Sequence, residues 1–117
     1  MPAPPPISVL LPVRNGAEYL PEAIASIEAQ TYSKYEVIAV DDGSSDDSWF
    51  VLQEWAGRDE RVKVFRQGPD GIVPALEFAR SEATGCYLAR MDADDIAGPT
   101  RFELQLQLME SDSSLAV

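Results

Sequence analysis

Short unbroken apolar runs alternate along this chain with segments whose apolar residues recur at helical spacing. Ile7-Ser8-Val9-Leu10-Leu11-Pro12-Val13 has the β-branched, near-continuous character of a strand buried on both faces. Arg14-Asn15-Gly16 breaks it; Leu20, Ala23, Ile24 and Ile27 then mark one helix face, with Pro21 suited to a first turn. Tyr35 to Val40 reads as a second strand ending in the polar loop Asp41 to Asp47, where Ser44 and Asp47 have the spacing of a capping pair. Val51, Leu52 and Trp55 supply the inner stripe of a second helix, and Val62 to Phe65 a third strand. Past Gly68, Pro69 and Gly71, a third helix places Ile72, Leu76, Ala79 and Ala83 on one face, with Gly85 positioned to stop it. Tyr87 to Met91 is a fourth strand, and a last helix opening near Pro99 carries Phe102, Leu106 and Met109. Leu115-Ala116-Val117 reads as another strand beginning, so the chain looks cut there.

This alternation predicts an α/β fold: a Rossmann-like, open, mostly parallel sheet with helices on both faces. Residues 1–6, rich in proline, form an extended lead-in, and residues 7–117 form one domain. At 117 residues and 45% apolar content the chain is long enough for one core.

Charge and composition remove several classes of function. Twenty acidic residues stand against 9 basic ones, a formal net charge of −11, which repels nucleic acid and anionic lipid. The absence of histidine excludes Ser-His-Asp triads and His-ligated zinc. Cys86 has no partner for an internal disulfide and reads as a small buried hydrophobe in the fourth strand. No apolar run reaches membrane-spanning length, and a cytoplasmic location is the expectation.

The chemistry concentrates in Met91-Asp92-Ala93-Asp94-Asp95. On an extended segment, Asp92 and Asp94 converge while Ala93 and Asp95 face away, which leaves Asp95 to cap the following helix. Converging carboxylates suit Mg²⁺ or Mn²⁺, ions that complete their shells with water and substrate phosphates. Taken alone, the run equally fits an acidic helix N-terminus. Asp41 and Asp42 also follow a strand, and Pro12 to Gly16 follow another. Parallel strands bring all three segments to one edge, the usual ligand edge of such sheets. Neither GxGxxG nor GxxxxGK[ST] occurs, so phosphates have no glycine-rich cradle. Asp41 either fixes its loop by accepting backbone N–H groups or contacts a ligand.

These segments, taken in order, resemble the nucleotide-binding half of a family 2 glycosyltransferase of the GT-A fold. The resemblance rests on Ile7 to Asn15, Ser26-Ile27, Gln30-Thr31-Tyr32, Tyr35 to Asp46, Gly71-Ile72, and Met91 to Asp95 with Pro99. It implies that Pro12, Val13 and Arg14 line a base pocket, and that Asp42 accepts a hydrogen bond from the base. It implies that Asp92 contacts the ribose or assists the metal, and that Asp94 ligates Mn²⁺ or Mg²⁺ on the diphosphate of a nucleotide-sugar, most commonly a UDP-sugar. Inverting transfer to an acceptor hydroxyl is the implied activity, in cell-wall or polysaccharide biosynthesis. The acceptor (carbohydrate, lipid or protein) stays open, and full-length members can be membrane-peripheral. Where many members carry Asn-x-Gly in the third helix, this chain has Leu76-Glu77-Phe78-Ala79. No catalytic residue is assigned, because the family's general base is expected beyond Val117, and the fragment is expected to be inactive alone.

Several residues have plainer roles. Arg14 and Arg90 suit pairing with nearby acids, Trp49 and Trp55 suit core or groove filling, and Tyr32 and Tyr35 suit packing under the sheet. A phosphoacceptor receiver domain fails, because the loop after the first strand lacks acids and only Lys34 and Lys63 exist. A non-catalytic, self-associating module is the other alternative: the fourth strand would leave a free sheet edge, and a homo-oligomer would cover it.

Overall fold

In the computed structural model, which describes residues 5–111, the two central strands are buried along their whole length. β1 (Ile7–Val13) and β2 (Tyr35–Asp42) sort their side chains by parity. Val9, Leu11, Val13, Val37 and Ala39 face one side; Leu10, Ile38 and Val40 face the other. The remaining elements are α1 (Leu20–Glu28), α2 (Ser48–Arg58), β3 (Val62–Gln67), α3 (Ile72–Glu82), β4 (Tyr87–Arg90) and α4 (Arg101–Ser111). Their sheet runs β3-β2-β1-β4 with every pairing parallel.

The larger core lies under α1, α2 and α4, built from Leu20, Ile24, Ile27, Leu52, Trp55, Phe102 and Leu106. Tyr35 meets Phe102 edge to face at 5.4 Å, and the Arg61 guanidinium stacks 4.3 Å above the Tyr35 ring. On the opposite face α3 sets Ala75 and Ala79 against Leu10, Ile38 and Val40. The helical stripe is therefore rotated from the expected one: Ile72 is exposed and Leu76 half-buried. Small alanines let this helix approach the sheet closely, while Phe78 leans outward onto Phe65 at 4.9 Å.

Proline in a central strand removes a ladder donor. Here β4 ends early: Leu10 pairs with Arg90, and the Leu10 carbonyl accepts the Met91 N–H at 3.0 Å. Residues two apart along a strand point their backbone groups to the same neighbour, so Pro12 faces the side where β4 has already stopped. Nothing is lost by its missing N–H.

Three local expectations are corrected. Cys86 is exposed and precedes β4 rather than lying within it. Ser44 and Asp47 do not form a capping pair: Asp46 accepts the Ser48 N–H (2.9 Å) and hydroxyl (2.6 Å), while the Ser44 hydroxyl accepts the Asn15 N–H (2.9 Å). Gly85 does not stop α3, which ends at Glu82; its N–H donates to the Ser8 hydroxyl at 2.8 Å. Residues 1–4 of the lead-in expected over residues 1–6, and the strand expected at 115–117, lie outside the described residues.

Candidate functional site

Parallel topology puts the ends of β1, β2 and β4 at one edge, and the loops leaving β1 and β2 are laced together there. Asn15 adopts a left-handed φ of 51°, a conformation asparagine tolerates better than most residues. Its side-chain oxygen accepts the Ser45 N–H at 2.8 Å. The Gly16 N–H donates to the Ser48 hydroxyl at 2.9 Å, and the Ala17 N–H to Asp46 at 3.1 Å. Burial alone would raise the Asp46 pKa, but the donors from Ser48 and Ala17 outweigh it and hold the carboxyl below its ordinary value.

The acids ending β2 are buried and tied to their neighbours on β3. Asp41 pairs in register with Arg66, and Asp42 with Gln67. Asp41 accepts the Ser44 N–H at 3.2 Å and meets the Arg66 guanidinium at 3.3 Å, which makes it a loop-fixing residue; among the described residues its second oxygen has no hydrogen-bond partner. Asp42 receives Gln67 Nε2 (2.9 Å), the Asp70 N–H (2.8 Å) and the Gly71 N–H (3.1 Å) on Oδ1. Its Oδ2 shares the Gly71 N–H and lies 3.9 Å from Arg14. Burial pushes the Asp42 pKa up, but these donors and Arg14 more than offset it, so the carboxyl sits below its ordinary value. Gly43 leaves this strand with φ 64°, and Pro69 packs so close that a Cβ there would stand 2.7 Å from its nitrogen.

The acidic run is a turn, not a continuation of β4. The Asp95 N–H donates to the Asp92 carbonyl (3.0 Å), and the Asp92 N–H donates back to Asp95 Oδ2 (2.9 Å). This reverses the chain and gathers carboxylate oxygens of Asp92, Asp94 and Asp95 within 4.8 Å of one another. The expected divergence of Asp95 is overturned: the alternation of an extended segment does not apply once β4 ends at Arg90. Nor does Asp95 cap α4, which starts at Arg101. Arg90 lies against Asp92 at 3.3 Å, the pairing expected of it.

Of the residues singled out in the sequence, Pro12 and Val13 are buried at the end of β1, and Arg14 is exposed beside Asp42. Gly16, next along, abuts Ala93, so the loop after β1 bridges the Asp42 cluster and the acidic turn. Three hard oxygen donors in one turn match a divalent cation of the Mg²⁺ or Mn²⁺ type. Gln67, Arg66 and Asp70 were not singled out, and Gly71 only as part of the resemblance; strand register, which places residues 66 and 67 beside the two acids, was the available signal. A cavity of about 960 Å³ lies elsewhere, at the amino edge, lined by Pro6, Tyr32, Lys34, Arg61 and Lys63 beside Glu36 and Glu60. It touches none of the residues expected to bind nucleotide or metal. Among the described residues no helix is long and apolar enough to cross a membrane.

A parallel α/β sheet with an acidic turn at its carboxyl edge is the architecture of the GT-A glycosyltransferases, and comparison with solved structures agrees. The domain superposes on S. aureus TarS 1-349 in complex with UDP-GlcNAc with a TM-score of 0.83, covering 90% of this chain and 31% of that one at 22% identity. That likeness is one of fold. It superposes on the mannosyltransferase PcManGT from Pyrobaculum calidifontis, in complex with GDP-Man and Mn²⁺, with a TM-score of 0.75 at 29% identity, covering 89% of this chain and 32% of that one. Among sequence relatives, the glycosyltransferase GlyG of Streptococcus pneumoniae is 36% identical over 113 residues, 95% of this chain and 38% of GlyG. The model of glycosyl transferase family 2 matches residues 8–117, and the chain belongs to that family. It spans only part of such relatives, from 15% to 42% of the length in several of them.

Proposed function

We propose that this chain is the donor-binding part of an inverting glycosyltransferase, holding a nucleoside diphosphate sugar at the carboxyl edge of its sheet with a divalent cation. The observation that carries the reading is the turn uniting Asp92, Asp94 and Asp95 beside the loop that reaches Asp42. The Mn²⁺ and GDP-Man held by the mannosyltransferase neighbour support the choice of ligand.

In this reading Pro12, Val13 and Arg14 line the base pocket, and Asp42 accepts a base N–H. Oδ1 of Asp42 already receives three donors, so the free acceptor capacity is on Oδ2, beside Arg14. Asp94 and Asp92 hold the cation, Asp92 in reach of the ribose, and the gathered geometry adds Asp95 to the donor set. A cation held there neutralises charge on the departing nucleoside diphosphate. Asp42 and Asp46 accept loop hydrogen bonds and Asp41 is held through one oxygen by Ser44 and Arg66, so no general base is assigned among these three, and in this reading the chain binds donor without transferring sugar. Residues 7–117 act as one domain in this account. The cytoplasm remains the proposed compartment, the single cysteine forming no internal disulfide.

Calorimetric titration with UDP and with GDP, each with and without Mn²⁺, tests it on wild type and Asp94→Ala. Mn²⁺-dependent binding that Asp94→Ala abolishes is expected. Nucleotide binding indifferent to both the metal and Asp94 would overturn the metal assignment.

A second reading, a self-associating module, is favoured by β4, which among the described residues is an edge strand, and by the exposed side chains of Val73 and Leu104 on α3 and α4. Light scattering on the eluting protein decides it: a mass that rises with concentration, and more so at high salt where the −11 charge is screened, supports association. A constant monomer mass removes it.

A further inference from the structure

The acidic turn hangs between two anchors. Before it, Met91 is fully buried and its N–H is bonded to Leu10. After it, Ala97 is buried and donates its N–H to the Ser26 hydroxyl at 3.0 Å. Ile96, which stands between Asp95 and Ala97, is two-thirds exposed and anchors nothing. The second anchor therefore combines the burial of Ala97 in the main core with polar side chains at and just after the carboxyl end of α1.

Gln30 is the centre of that anchor. It is only 8% exposed, and every hydrogen-bonding group of its amide is used. Nε2 donates to the Gly98 carbonyl at 2.6 Å and to the Ser26 carbonyl at 3.2 Å, and Oε1 accepts the Phe102 N–H at 3.0 Å. One side chain thus reads both ends of the segment joining the acidic turn to α4, including an N–H of the first turn of α4. Thr31 adds its own N–H, donated to the Pro99 carbonyl at 2.8 Å. A buried amide costs free energy unless partnered, and here two of the three partners, the Gly98 carbonyl and the Phe102 N–H, are backbone atoms that follow the acids, the third being the Ser26 carbonyl of α1.

We propose that Gln30, assisted by Ser26, is a positioning residue for the acidic turn: it fixes where Asp92, Asp94 and Asp95 sit without touching a ligand. The proposal rests on the metal-binding reading above, and deepens it by assigning the support of the donor set to α1. Substitution of a group that orients metal ligands typically lowers metal affinity by about 10–100-fold.

The test uses Gln30→Glu, which keeps an acceptor for Phe102 but turns an oxygen toward two carbonyls, and the milder Ser26→Ala. Ser8→Ala, at the far edge of the sheet, is the control for general destabilisation. Two readouts are taken: amide hydrogen exchange across the chain, and Mn²⁺ affinity by electron paramagnetic resonance. The expected result is exchange about tenfold faster at Asp92, Asp95 and Ala97, with β1 and β2 unchanged, together with Mn²⁺ affinity reduced about tenfold or more. Ser8→Ala should change neither at these positions. If exchange at Asp92 and Asp95 matches wild type in both variants, or quickens there just as much in the control, the positioning role is overturned, whatever the metal does. If wild type itself binds no Mn²⁺, the metal reading fails separately, and exchange alone then decides whether Gln30 orders the turn.

Discussion

Gly16 abuts Ala93: a Cβ on the glycine would stand 2.7 Å from the Ala93 Cβ, closer than such atoms approach. This contact joins the loop after β1 to the acidic turn, and it leaves no space for a side chain between them. Gly16→Ala should therefore push the turn outward, costing about 1–3 kcal/mol of stability. The same substitution should weaken Mn²⁺ binding. Urea denaturation and metal titration check both; wild-type values in each for Gly16→Ala would show that the loops yield freely.

Arg90 competes for the carboxylate that the proposed cation would use. Its guanidinium lies 3.3 Å from Asp92 and about half of the side chain is exposed, so the pair contributes little to stability. Arg90→Gln should leave the unfolding midpoint nearly unchanged and raise Mn²⁺ affinity by a few-fold, roughly the effect of removing one nearby positive charge. Asp95→Ala should act in the opposite direction, removing both a donor oxygen and the acceptor that holds the Asp92 N–H. Titration of the two variants side by side is decisive: equal affinities would remove Asp95 from the donor set.

Glu36, far from the acids, supplies a pH dependence of its own. Its carboxylate is buried between β1, β3 and the loop before β4. It accepts the Ser8 hydroxyl (2.6 Å), the Thr84 N–H (2.6 Å) and the Thr84 hydroxyl (2.9 Å), with Lys63 at 3.7 Å. Burial raises the pKa, but these donors and Lys63 outweigh it, so the folded value lies below the ordinary 4.5. A lowered folded pKa means stabilisation that is complete above the unfolded value and is lost as pH falls through the folded one. Glu36→Ala should cost about 3 kcal/mol at neutral pH. Denaturation curves should show wild type and variant converging as pH drops below 4.5.

The sheet was legible because β1 and β2 are continuous apolar runs whose two faces are both covered, which only a parallel sheet between helices explains. The meeting of Asp41–Asp42 with Asp92–Asp95 at one edge followed from parallelism alone. What was not legible depended on where pairing stops. β4 is only 4 residues long, so Asp92 to Asp95 leave the ladder and curl, bringing in Asp95 against the rule of alternation. Cys86 is left outside the strand for the same reason, at its other end. The α3 stripe missed by a step because Ala75 is small, and helical spacing cannot tell a close-packed alanine from a spacer. The expected capping pair is missing because the Ser44 hydroxyl accepts the Asn15 N–H of the loop from β1, a long-range partner no local spacing reveals, while Asp46 accepts the Ser48 N–H.

Parallel strands also sort charge. Asp41, Asp42, Asp46 and the three acids of the turn gather at one end of the sheet, while Lys34, Arg61 and Lys63 border the cleft at the other. Arg14, Arg66 and Arg90 offset part of the acidic end and Glu36 and Glu60 part of the other, but six acids against three arginines leave the carboxyl edge negative on a molecule of net charge −11. A free anion approaching the acidic end climbs against that field, whereas a divalent cation, or an anion already carrying one, descends it. The order of arrival is thereby biased by topology. Lowering the ionic strength should speed the encounter for cations and slow it for bare anions, the kinetic signature of a gate made of field rather than of a moving lid.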